Sequence, residues 1–440
     1  MSSTRKSSSK PKVLNFPELD SLKDDLDKAN NFIDYFLVIG LNPEIALNDW
    51  LYEAEIDELN IIYPDKMRPK IISSFPPFLK HTIAYDDSLV KHCFPNNFKI
   101  IESKTKPNPE IFSFILDNNY FSIHYPQKYL SCLICYESIS EYKKLFDKNN
   151  LLSRTNVHSG SNINIETMKN SNISSISTLS NTNNQNSLNN NINSPQMFFN
   201  AKNKNYYIPK CLMFISLYPF FGEYEKILSQ LYYYSLKEQV TIPIDKIIEN
   251  LIIEIPVPPR GIFNVEYTLI DNQIEIKQNL MNQLPLIDID LKILFNFFSV
   301  EQIVDIYRFI ILESRVLFFS KNVVLLNPFI YGMLSLLYPF HYQYQIVTIL
   351  PKENFETLES ITPFIAGINQ SYNKNFFSEK GLTLSDNIVI VDIDSKKILI
   401  VNGEDNTTIC SDNYDSEYKK EGFIPQFPKG HKKNLEKELS

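Results

Sequence analysis

Glycine is scarce in this sequence, with 10 residues in 440. A chain so poor in glycine is not built around the glycine-rich loops that let a backbone close on phosphate groups. No Gly-x-x-x-x-Gly-Lys-Ser/Thr run occurs in it, so a nucleotide held through a P-loop is not expected. Cysteine is also sparse, at five, an odd number without framework spacing. That suits reduced thiols in the cytosol. Cys132 and Cys135 form a Cys-x-x-Cys, but no second pair stands at zinc spacing. On a strand, positions three apart point to opposite faces, so the two are read as buried strand cysteines. His81, His92, His124 and His341 each lack a His or Cys at ligand spacing. An excess of positive charge is missing too: 43 Lys and Arg against 51 Asp and Glu give −8. That balance disfavours nucleic acid or an anionic membrane as the main partner, while leaving room for a local basic patch.

Other absences narrow the chemistry. The opening MSSTRKSSSKPK has no apolar core of the signal-peptide kind and no glycine at position 2, so neither a signal peptide nor myristoylation is expected. Ser216 and Ser320 stand outside any Gly-x-Ser-x-Gly elbow. Gly261 and Gly367 are read as turns. Asp392 and Asp394, in VDID, are read as turn caps rather than a metal pair. No catalytic residue, metal ligand or cofactor site is expected. From Asn322 to Pro351 no residue is charged, a length that could span a bilayer. Pro328, Pro339, His341, Gln343 and Gln345 interrupt it, and its period changes halfway. The stretch is read as a buried helix followed by a buried strand in a soluble protein.

What is present is core-forming material: 43% hydrophobic and 13% aromatic residues, enough in a chain of this length for two cores. Residues 1–29 are polar and read as a disordered tail. From 30 to 140 runs a first, α+β lobe. It opens at NFIDYFLVIGL (Asn31–Leu41), apolar on both alternating sets as a strand covered on both faces must be. Further strands are expected at 61–63, 71–75, 111–117, 120–125 and 129–137, with Asn118-Asn119 as a hairpin turn. Residues 141–205 interrupt the pattern. From Asn156 to Asn193, 13 of 38 positions are Asn, with many Ser between them. Such a span cannot bury enough apolar surface to order itself and is read as a disordered insert.

The second lobe, 206–401, alternates strands with helices and is read as α/β. A strand at 211–217 leads into a helix carrying Tyr224, Ile227, Leu228, Leu231 and Tyr234, then a helix from Pro243 that PVPPRG (Pro256–Gly261) stops. Two strands follow around Asp271-Asn272. Ser299 and Gln302 form a capping box, with Phe298 and Ile303 as its hydrophobic staple. A strand is expected at 316–319. Asn327-Pro328 is read as the cap and first turn of the next helix. Strands at 346–350, 364–368, 388–393 and 398–401 complete the lobe, and 402–440 is read as a polar tail.

In combination these segments resemble the DENN domain. PKCLMFISLYPFFGEYEKILSQLY (Pro209–Tyr232), PVPPRG, ESRVLFFS (Glu313–Ser320), LLYPFHYQYQIVTILP (Leu336–Pro351), TPFIAGI (Thr362–Ile368) and VDID fall in that family's order and separations. DYFLVIGL and HCFPN (His92–Asn96) are similar to its upstream, longin-like lobe. Tyr342 stands where the family commonly has Trp, and the family's downstream helical lobe has no counterpart after Val401. The resemblance implies a longin-like lobe and a central α/β DENN lobe joined through the insert. It also implies guanine nucleotide exchange on a Rab-type small GTPase, by gripping its switch regions and releasing GDP in vesicle trafficking. The alternative is a scaffold or complex subunit that binds a GTPase without exchange. No cofactor and no nucleic acid enter either reading, and the implied location is the cytoplasm, with recruitment to endomembranes through partners. Polar residues beside the motifs, Tyr342, Lys352, Glu353 and Asn354, are the candidate GTPase contacts.

Overall fold

The structure is a computed structural model. It describes residues 31–41, 68–77, 87–116, 127–138, 205–237, 241–259, 261, 263–270, 272–279, 288–384, 387–401, 408–410, 434 and 437–438. The expected tail 1–29, the Asn/Ser-rich insert up to residue 204, the strands at 61–63 and 120–125 and the Asn118-Asn119 turn lie outside them.

Strands β1 (Tyr35–Gly40), β2 (Lys70–Phe75), β3 (Ile101–Ser103), β4 (Glu110–Leu116), β5 (Lys128–Ser138) and β6 (Asn205–Ser216) make an antiparallel array, in the order β4-β5-β6-β1-β2 with β3 alongside β6. The strand that follows residue 205 thus sits between β5 and β1. Its ladder with β5 runs from Tyr129↔Ser216 to Ser138↔Tyr207. Strands β9 (Val316–Phe319), β10 (Gln345–Val347), β11 (Phe364–Ile368) and β12 (Ile388–Asp392) are mutually parallel, and β13 (Lys397–Val401) and β14 (Thr408–Cys410) extend them antiparallel. β14 adds a strand to a region read from sequence as polar tail. The two arrays are one twelve-stranded sheet, joined where β10 meets β4. β7 (Val265–Leu269) and β8 (Asn272–Ile276) form a separate hairpin.

Side-chain alternation dictates how the sheet is covered. In β1, Leu37 and Ile39 enter one core, while Phe36 and Val38 enter another. In β9, Val316 and Phe318 share the first core, and Leu317 and Phe319 join a third. One face is therefore a continuous core across both arrays. It is covered by α1 (Asp87–Cys93), α4 (Lys292–Phe297), α5 (Val300–Ile311) and α6 (Val323–Ser335). The other face is divided. Helices α2 (Phe221–Ser235) and α3 (Ile244–Ile253) cover the antiparallel array, and a 3-10 helix (Lys352–Glu359) with α7 (Phe376–Glu379) covers the parallel one. The apolar stripes expected of α2 and α3 are the buried ones: Tyr224, Ile227, Leu228 and Leu231, then Ile244, Ile247, Ile248, Leu251 and Ile252. No described helix is long and apolar enough to cross a membrane.

α6 differs from its expectation. It begins at Val323, not after Asn327. Asn322 is its cap and accepts a hydrogen bond from the Val324 backbone N–H at 3.1 Å. Ser320 Oγ in turn accepts from the Asn322 N–H at 3.1 Å and donates to Asp394 at 2.8 Å. Pro328 then falls in the second turn, and Asn327 is buried inside the helix with no hydrogen-bond partner for its amide. A cap five residues earlier wins because Asp394, from the β12–β13 turn, fixes its geometry. Asp392 accepts from Ser395 at the same turn, so both carboxylates cap turns.

Gly367 also departs from its expectation. It lies within β11 rather than in a turn, and a Cβ there would stand 2.1 Å from the Thr348 carbonyl oxygen. Gly261 is a turn residue, at φ 69°, donating to the Gln278 carbonyl. The capping box of α5 is present in both directions.

Candidate functional site

The junction between the arrays has little backbone pairing. Val347↔Leu116 is the register pair of the β4–β10 ladder among the described residues, reinforced by the Ile115 N–H donating to Thr348 Oγ1 at 2.9 Å. Side chains do the rest. α6 lies over the sheet at this seam, burying Leu326, Phe329, Ile330 and Met333 in the continuous core. At about 1.5–3 kcal/mol each, these four outweigh by several-fold the two hydrogen bonds of the seam at about 1 kcal/mol apiece.

Above the seam, a cleft opens between α1 with its following turn and the start of the 3-10 helix. It is lined by Arg68, Lys91, Phe94, Asn97, Phe98, Pro351 and Glu353, among others. The HCFPN segment builds one wall. α1 ends at Cys93, and Asn97 at φ 69° takes the left-handed conformation that Asn tolerates, donating to the Phe94 carbonyl. Phe94 and Phe98 then meet edge to face at 5.1 Å. Pro351 builds the other wall, its extended backbone setting the first turn of the 3-10 helix.

The walls are tied at two points: Lys91 Nζ to Glu353 Oε2 at 2.9 Å, and the Lys352 N–H to the Pro95 carbonyl at 3.2 Å. Burial and the positive charges of Lys380 and Lys99 push the Lys352 ammonium below its ordinary range. Arg68 and Lys91 share the cleft with the Glu353 carboxylate, and Lys99 and Lys380 act on the neighbouring Lys352, on a chain whose net charge is −8. An aromatic floor with a basic rim can bind. It offers no paired base and nucleophile within reach of each other, so bond-making chemistry has no machinery in this cleft.

Of the four candidate contacts, Glu353 lines the cleft. Lys352, Glu353 and Asn354 form the first turn of the 3-10 helix, and Asn354 is where that helix kinks, at φ −107° and ψ 16°. Tyr342 is not with them: it precedes β10, whereas they follow it. Its ring stands 5.8 Å from that of Tyr344, whose hydroxyl donates to Glu313 at 3.0 Å. Burial and the nearby Glu313 carboxylate push the Tyr342 phenol up. Sequence reasoning missed Arg68, Lys91, Phe94 and Phe98. The HCFPN segment marks part of that wall, but only the fold brings it to Pro351.

Comparison with known proteins agrees with this architecture. Residues 207–396 match the family model of the DENN (AEX-3) domain. Three relatives align with about a quarter to a third of the chain. "Elicitor of plant defense protein 1" of Verticillium dahliae is 27% identical over 157 residues, 36% of this chain and 13% of that protein. A "DENN domain-containing protein" of Schizosaccharomyces pombe is 26% identical over 161 residues, 36% of this chain and 16% of that protein. "Myotubularin-related protein 5" of Caenorhabditis elegans is 32% identical over 103 residues, 23% of this chain and 6% of that protein. Each alignment therefore spans a small share of a longer relative. Residues 207–396 are thus similar to a DENN domain, both by the family model and by a relative that carries the domain's name.

Proposed function

We propose that the protein is a guanine nucleotide exchange factor for a Rab-type small GTPase, acting in membrane trafficking from the cytoplasm, and that the cleft above the seam is part of its GTPase-binding surface. The observation that carries this reading is the DENN domain at residues 207–396, a domain associated in general with exchange on Rab GTPases. The cleft supports it: Glu353 lines it beside an aromatic floor and a basic rim, equipment for gripping a protein surface, and Lys352 and Asn354 are its neighbours in the same 3-10 turn.

Exchange needs no proton-transferring group. It needs a surface that binds the GTPase more tightly as the nucleotide leaves. A thousandfold faster GDP release corresponds to about 4 kcal/mol of transition-state stabilisation, within the reach of a few well-packed aromatic and Arg contacts at about 1–2 kcal/mol or more each. The coupling is reciprocal, so bound nucleotide must weaken the protein's hold by the factor that the protein weakens the nucleotide's. The test is release of labelled GDP from a panel of Rab-type GTPases with the purified chain. Acceleration for at least one member is expected. Unchanged release across the panel, with complexes still forming, would replace exchange by the scaffold reading.

A further inference from the structure

The sulfur atoms of Cys93, Cys132 and Cys211 all lie within 4.8 Å of one another, fully buried, although they come from α1, β5 and β6. The topology explains how they meet. Cys132 faces Met213 across the β5–β6 ladder, and Cys211 faces Ile134, so Cys132 and Cys211 are diagonal neighbours on one face. Cys93, in the last turn of α1, comes down on that face from above and donates to the Leu89 carbonyl at 3.4 Å. Cys135, three residues along β5, belongs to the opposite core. The adjacent His92 stacks on Phe114 at 5.6 Å and is not one of the group.

We propose that Cys93, Cys132 and Cys211 form an all-sulfur site for a thiophilic d10 metal ion, of which monovalent copper fits best. Three sulfurs at about 2.3 Å from an ion stand about 4.0 Å apart in a trigonal plane, so the observed grouping needs to contract by less than an ångström. The donors select the ion. Thiolates favour monovalent copper and zinc-group ions over harder metals. Zinc in a structural site wants four ligands. Coordination number, rather than charge, is what favours copper(I) over zinc at three sulfurs. Copper(I) with two thiolates and one thiol leaves a single negative charge in an apolar pocket, the two displaced protons going to solvent.

The test uses the full chain, reduced and metal-free, titrated with copper(I) against a copper(I) chelator. Separate arms with zinc(II) and cadmium(II) are read by thiolate-to-metal absorption. One copper(I) per chain is expected, with a sulfur-only shell in X-ray absorption. Affinity should fall by at least about a hundredfold in Cys132→Ala and Cys211→Ala, since even losing an outer-shell partner costs about 10–100-fold. Cys135→Ala should bind as wild type. The X-ray absorption arm needs no variant, so it stands if a core substitution fails to fold. Nitrogen or oxygen in the shell, retention by Cys132→Ala, or no copper(I), zinc(II) or cadmium(II) held against the competitor would overturn the proposal.

Discussion

At Gly367 the side chain is forbidden by a backbone atom. The Thr348 carbonyl occupies the space a Cβ would need, 2.1 Å from its ideal position, and the Gly367 carbonyl accepts from the Leu350 N–H at 2.7 Å. Relief would require moving β10 away from β11, at the seam where pairing is already thin. Gly367→Ala is therefore expected to destabilise the protein by about 3 kcal/mol, the upper range of overpacking costs, read as a lower denaturant midpoint. Asp34 carries the opposite kind of strain. Burial raises its carboxyl to about 6, despite Lys128 at 3.8 Å and a hydrogen bond from the Leu217 backbone, which both lower it. A folded-state value above the unfolded 3.8 means that the native state holds the proton longer. The group's stabilising contribution is then complete below about pH 4 and is lost as pH rises through 6. Asp34→Asn should accordingly gain about 2–3 kcal/mol at pH 7 and little at pH 4. An equal gain at both pH values in urea unfolding would refute the assignment. Neither residue announces this in the sequence. Gly367 reads as a loop glycine because its neighbour Thr348 is known only once β10 and β11 are paired, and Asp34 sits in a string of apolar residues that hides its own desolvation.

At the scale of elements, local signals were legible wherever one segment carries them whole. The α5 capping box, the two-faced apolar strand β1 and the stripes of α2 and α3 lie in consecutive residues, and each is where its pattern places it. The start of α6 was not legible, because Asn327-Pro328 is the stronger local signal and the real cap depends on Asp394, far along the chain. The cleft has the same property. Glu353 of its 3-10 wall is among the residues the sequence singles out, its α1 wall is not, and Tyr342 belongs to the other end of β10. The ion pair Lys91–Glu353 bridges the walls and is largely exposed, so its worth to stability is at most about 1 kcal/mol. That makes it a clean probe of binding. Glu353→Lys alone should leave unfolding nearly unchanged and lower affinity for the cognate GTPase. If the residues touch the partner directly, the swap Lys91→Glu with Glu353→Lys will not restore it. Recovery in the swap would assign the pair to holding the walls.

At the scale of the molecule, the order of strands decides what can be separated. A chain read from sequence as two lobes meeting at an insert places its boundary at residue 205, yet β6 lies between β5 and β1 and is paired to both. α2 and α3 follow it onto the same array, packing against Phe32, Phe36 and Val38 from before the insert. The DENN match begins at 207, inside β6. A fragment of residues 206–401 would therefore expose both edges of a long apolar strand and strip one side from two helices. Neither its edges nor its faces have substitutes within the fragment. Expressed alone, it is expected to show no cooperative thermal unfolding and to aggregate. Supplied with a second chain of residues 30–140, it should recover a cooperative transition, because the β5–β6 and β1–β6 ladders need no covalent connection through the insert. GDP release then becomes the functional reading of the same experiment. If the surface that grips a GTPase is built at the seam, exchange should return with the reassembled sheet and be absent from either piece. Activity in the 206–401 fragment alone would show that the antiparallel array is dispensable and that the cleft above the seam is not the binding surface.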